Sequence, residues 1–171
     1  SQKLSDAKKN KKNVYSDTTK EQQIIAENKS SKSYVVQNKI LTQETKSAKA
    51  ENKQRQQAVI QTNRNLKNQR KNYEKAVNSR DSAGKTLLST KSITSTLIKT
   101  QKNAIKAGKV VSTKGITNPT VLKSLDNYNA KVRNANTEHK KLNIQIDAQT
   151  NALNEASQAE ANYAQTLVEN E

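Results

Sequence analysis

The chain has 171 residues and a formal net charge of +16, with only 31% of its residues apolar and no Phe, Trp, Met or Cys. Those values exclude an aromatic-rich globular core, a disulfide framework or thiolate metal site, and any apolar run near the roughly 18 residues of a membrane span. Either disorder or long helices sharing a narrow seam remain, and the scarcity of Gly (three) and Pro (one) favours helices.

Residues 1–54 read as a basic helical extension. The densest basic run is Lys8-Lys9-Asn10-Lys11-Lys12. From Val14, steps of three and four residues continue unbroken to Ala104, and apolar residues fill thirteen of these twenty-seven positions. The early members include Glu27, Ser31, Asn38, Thr45, Asn52 and Arg55, so this stretch is helical in character with little to bury. It therefore calls for a partner: further chain, a second copy giving a homo-oligomer through 1–54, or its own fold-back at 28–33. From Val59 the seam is denser, through Leu66, Tyr73, Ala76, Ala83, Leu87 and Leu97. One long first helix is expected to run on to Gly108, placed as its C-cap.

Gly108, Gly115 and Pro119 punctuate a tip loop over 108–118, in which Lys109, Lys114 and Asn118 are the candidate contact residues. Asn118 or Thr117 is positioned to cap the next helix, with Pro119 at its first position. That helix is expected from 119 to 168, a span of about 75 Å at the usual rise. Its seam runs Val121, Leu125, Tyr128, Val132, Ala135, His139, Leu142, Ile146, Gln149, Leu153, Ala156, Glu160, Tyr163 and Leu167, with eleven of fourteen positions apolar.

The expected fold is all-α: an elongated antiparallel coiled-coil hairpin over 55–171 with a long first helix. A three-helix bundle broken near 79–84 is the alternative. A hairpin centred at residue 113 pairs residues whose numbers total about 226. Residues 142–171 (net −5) then face 55–84 (net +5), which selects the antiparallel orientation. In that register His139 meets Leu87, and Glu160 reaches toward Arg64 or Arg70.

No catalytic constellation is apparent. Gly84-Lys85-Thr86 lacks the earlier glycine and preceding strand of a phosphate loop. His139 has no second His or Cys to share a metal with. The reading is therefore a non-enzyme with no cofactor and no metal. Residues 1–109 carry a net +17, against −1 for 110–171. Lys8, Lys9, Lys11, Lys12, Arg64, Lys67, Arg70 and Lys71 are the polyanion-binding candidates. Their partner would be an anionic cell-surface or host polymer, such as teichoic acid, polysaccharide or sulfated glycan, or else a protein receptor. Non-specific nucleic-acid binding is the second choice, and a spacer without ligand the third. An amphipathic membrane helix is disfavoured by the narrow, weakly apolar stripe.

The stretch Ala152-Leu153-Asn154-Glu155-Ala156-Ser157-Gln158-Ala159-Glu160-Ala161-Asn162-Tyr163-Ala164 resembles repeats of the plasmid surface exclusion proteins and related adhesins. These are cell-wall-anchored surface proteins of Lactobacillus-like and Enterococcus-like bacteria. The resemblance covers about residues 50–170 and implies a fragment of a longer exported protein. Its location would be extracellular and wall-associated, and its role that of a coiled-coil stalk or adhesion domain.

Overall fold

The computed structural model describes the backbone of residues 20–169 and the side chains of residues 33–169. Lys8, Lys9, Lys11 and Lys12 lie outside the described residues. The elements are α1 (Lys20–Ser89), α2 (Lys91–Thr94), α3 (Lys99–Lys106) and α4 (Pro119–Glu169), with no strand among the described residues. The fold is all-α, with α1 and α4 packed as a helical hairpin. α1 runs without interruption through 28–33 and 79–84, so neither the fold-back nor the three-helix alternative is realised.

The chain divides into two compact units. A terminal unit takes α1 up to Thr62 together with α4 from Gln149, and a head unit is Asn63–Ala148. In the terminal unit the Thr45 hydroxyl donates to the Thr166 carbonyl at 3.5 Å, and Arg55 Nη1 meets Glu155 Oε2 at 2.8 Å. In the head unit Gln69 Nε2 donates to Glu138 Oε2 at 2.6 Å, and the rings of Tyr73 and His139 are 5.3 Å apart. Both units are therefore antiparallel, with paired residue numbers totalling about 210 rather than 226. The turn is centred some eight residues earlier than the sequence suggested, because α1 ends at Ser89 and not at Gly108. The connection accordingly occupies 90–118 rather than 108–118. The basic extension shrinks correspondingly, since residues from Thr45 onward already face α4.

Local chemistry explains the early end of α1. Six of the eight residues from 89 to 96 are Ser or Thr. Such hydroxyls compete with backbone N–H groups for helical carbonyls. Thr90 Oγ1 and Ser89 Oγ both donate to the Thr86 carbonyl, at 2.6 and 3.1 Å, and Thr90 itself is extended (φ −96°, ψ 104°). α3 ends as expected at Gly108. Gly108 N donates to Ile105 O and Lys109 N to Ala104 O, with Gly108 at φ +68°. This is the left-handed Schellman closure that glycine accommodates without steric cost. At the start of α4, Asn118 Oδ1 accepts from the backbone N–H groups of Thr120 (2.9 Å) and Val121 (3.3 Å).

The α1 seam follows the 3-4 series anticipated, through Thr45, Ala48, Asn52, Arg55, Thr62, Leu66, Tyr73 and Ala76. The α4 seam follows every position of its series to Ala135 and thereafter only alternate ones, Leu142, Gln149, Ala156 and Tyr163, which stay half-buried. Between them Glu138, Gln145, Ala152, Ala159 and Thr166 turn inward, while His139, Ile146, Leu153, Glu160 and Leu167 of the series are exposed. Two successive three-residue steps at Val132-Ala135-Glu138 constitute a stammer, which shifts the stripe by one residue. Glu138 takes the layer because Gln69 Nε2 donates to both its carboxylate and its backbone carbonyl. His139 leaves the seam and tilts against Tyr73 instead of facing Leu87. Glu160 is exposed in the terminal unit, whereas Arg64 and Arg70 belong to the head unit.

Charge still favours antiparallel pairing in the observed register. Within the terminal unit, residues 39–62 carry net +3 and residues 149–169 net −3. The seam there is small and polar. Only Ala152 and Ala159 are buried among its described residues, and Asn52 Oδ1 is buried with no hydrogen bond. Such a polar seam residue restricts register at a cost in stability.

Candidate functional site

The larger apolar side chains collect in the head unit. Leu87, Ile93, Leu97, Ile105 and Val111 enclose Val121, Leu125, Tyr128 and Val132 of α4 in one buried cluster. Gly84, on α1, permits the close packing: a Cβ there would lie 3.3 Å from Ile105 Cγ2 and 3.4 Å from the Tyr128 ring. Gly84-Lys85-Thr86 is thus part of a helix against a core and not a phosphate loop.

Three polar side chains fix the irregular segment onto this core. Tyr128 OH donates to the Lys109 carbonyl at 2.9 Å. Burial pushes its phenol above the usual tyrosine value, partly offset by the Arg80 charge. Asn129, itself buried, accepts from Val111 N through Oδ1 (2.8 Å) and donates to Val111 O through Nδ2 (2.9 Å). One amide thereby satisfies both backbone groups of a buried residue. Gln101 works similarly, accepting from Ile98 N and donating to Ser112 O, both at 2.9 Å. The head between α1 and α4 is a folded cap rather than a loose loop.

Its surface is uniformly basic. Residues 82–125 contain eight lysines and no Asp or Glu. All eight are exposed except Lys102, which is half-buried. α3 is amphipathic in a way that concentrates them: Gln101 and Ile105 face the core, while Lys99, Lys102 and Lys106, spaced i, i+3 and i+7, form a ridge along one side of the helix beside that face. Lys109 and Lys114 continue the positive surface along the irregular segment. With no carboxylate in the segment to pair with, these ammonium groups reinforce one another's field.

The sequence-derived candidates distribute unevenly over this geometry. Lys109 and Lys114 lie exposed on the head, as a tip contact requires. Asn118 is exposed, and its Oδ1 is engaged as the α4 cap. Arg64, Lys67 and Lys71 are exposed on α1 and share a helix face by spacing, with Arg70 displaced from it. Lys99, Lys102 and Lys106 were not singled out, because the first helix was expected to continue through them. Their signal was available in the 44 residues without an acid between Asp81 and Asp126.

Among the described residues no group of three His, Cys, Asp or Glu side chains could hold a metal, and no helix is long and apolar enough to cross a membrane. No family model matches the chain, and no curated protein or solved structure is significantly similar to it.

Proposed function

We propose that this chain is a non-catalytic adhesion module, a coiled-coil hairpin whose basic head engages an anionic polymer of a bacterial or host surface. The observation that carries the proposal is the acid-free segment 82–125 of the head, with the α3 lysine row at its surface. A folded segment with eight lysines and no carboxylate gains little stability from its charge, since like charges repel, whereas a polymer of phosphates or sulfates neutralises it. The α1 ridge of Arg64, Lys67 and Lys71 offers a second track for the same polymer. The surface-protein resemblance supports an extracellular, wall-associated setting within a longer protein, with teichoic acid, anionic polysaccharide or sulfated glycan as the ligand class.

Retention on heparin, teichoic acid and duplex DNA tests the reading. The parent chain is expected to bind and to release with rising salt. Lys99→Gln/Lys102→Gln/Lys106→Gln should elute from each matrix at clearly lower salt, and on DNA it should reduce the log–log salt slope by about one unit per contacting lysine. Tighter retention on DNA than on teichoic acid would transfer the proposal to nucleic acid. Flow-through on all three at low salt would leave a spacer without ligand.

A further inference from the structure

We propose that the same head seats on an anionic lipid bilayer, with Ile98 and Val110 entering the headgroup region and the surrounding lysines meeting lipid phosphates. The inference rests on the basic head described above and goes further, because charge alone does not account for two exposed aliphatic side chains beside the lysine ridge.

Ile98 is 64% exposed and Val110 42% exposed, although a buried core lies immediately beneath both. The two belong to one region. The Gln101 amide bonds Ile98 N on one side and Ser112 O on the other, which holds residues 98 and 112 side by side. Val111 points inward at 2% exposure, anchored by Asn129, so its neighbours Val110 and Ser112 point outward. Lys99 adjoins Ile98 and Lys109 adjoins Val110, both exposed. The nearest acids along the chain are Asp81, paired with Arg80 at 3.0 Å, and Asp126 on α4.

Exposed aliphatics flanked in sequence by exposed lysines match an anionic bilayer, which offers phosphate to the lysines and an apolar interior to the aliphatics. A dissolved polyanion offers only the first. The contact is not that of an amphipathic helix: α3 has eight residues, and its apolar side is already committed to the core through Ile105. It is a rigid wedge of two side chains, held in place by the Gln101 and Asn129 amides.

The absence of tryptophan makes the test direct. Single-tryptophan chains Ile98→Trp, Val110→Trp and, as an exposed control, Asn127→Trp are mixed with vesicles of phosphatidylcholine and phosphatidylglycerol. The expected result is a blue-shifted emission at 98 and 110, quenched by nitroxide-labelled acyl chains, with no change at 127. Heparin should produce no shift at any position. The unaltered chain should cosediment with the same vesicles, showing that the introduced indole does not create the binding. Lys99→Gln/Lys102→Gln/Lys106→Gln should lower vesicle partitioning about a hundredfold. Unshifted emission at 98 and 110, or failure of the unaltered chain to cosediment, would overturn the membrane inference. If heparin still retains the chain in that case, the polymer-binding proposal stands. Loss of binding to both vesicles and heparin removes the two together.

Discussion

Asn129→Ala is expected to destabilise the head unit by about 2–6 kcal/mol, because it strands the N–H and C=O of buried Val111, each costing about 1–3 kcal/mol when left unpaired. The Asn129 amide supplies the hydrogen bonds to both groups at 2.8 and 2.9 Å, and Val111 is 2% exposed, so replacement by water is obstructed. Asn129→Leu separates this effect from simple loss of volume. It fills the space yet cannot bond either group, so it should be about as damaging as alanine. Denaturant unfolding gives the energy, and amide exchange at Val111 should report the local opening. Parent-like stability in both variants would mean that the irregular segment does not depend on this clamp.

Leu125→Ala is expected to cost about 2–5 kcal/mol, the range for opening a cavity in a well-packed core. Leu125 is 0% exposed and sits among Leu87, Ile93, Leu97, Ile105 and Val121. The same substitution at Leu153, which is 50% exposed, should change stability little. The contrast follows from the α4 stripe. Both leucines occupy the apolar series read from sequence, but only Leu125 precedes the stammer at Ala135. Equal losses at the two positions, measured by denaturant midpoint, would place Leu153 in a seam and contradict the observed phase.

The helical class, the antiparallel sense and both ends of the 108–118 segment were legible because each rests on short-range chemistry. Asn118-Pro119 is a cap with its proline, and Gly108 is a residue free to take positive φ. The phase of α4 beyond Ala135 was not legible. A periodic count favours the bulky row Ile146, Leu153 and Leu167, whereas the fold selects the smaller row Ala152, Ala159 and Thr166. What tips the choice is one polar layer, Gln69 with Glu138, between residues 69 positions apart. The end of α1 was hidden differently. Leu97 and Ala104 prolong the seven-residue pattern across a Ser/Thr cluster that interrupts the helix, so the same apolar residues serve a compact core instead of a longer coil.

That interruption also determines the site. Had α1 continued to Gly108, Lys99, Lys102 and Lys106 would extend along a coiled coil instead of forming a ridge on the compact head. Because the helix stops at Ser89, they stand on α3 above a fixed core. The candidates drawn from sequence were the basic first helix and the tip loop with Lys109, Lys114 and Asn118. The structure adds a head whose lysines meet no carboxylate in their own segment.

The pairing register underlies all of these statements, and cysteine cross-linking measures it in a chain that has no cysteine of its own. Thr45→Cys/Thr166→Cys joins positions whose Oγ1 and backbone O atoms are 3.5 Å apart. Val59→Cys/Leu167→Cys joins the seam positions that face each other only if the numbers total 226. Under mild oxidation the first pair is expected to form an intramolecular disulfide rapidly, and the second to remain reduced. Rapid cross-linking of the second pair with none in the first would restore the later turn, return residues 90–107 to a continuous helix and remove the head.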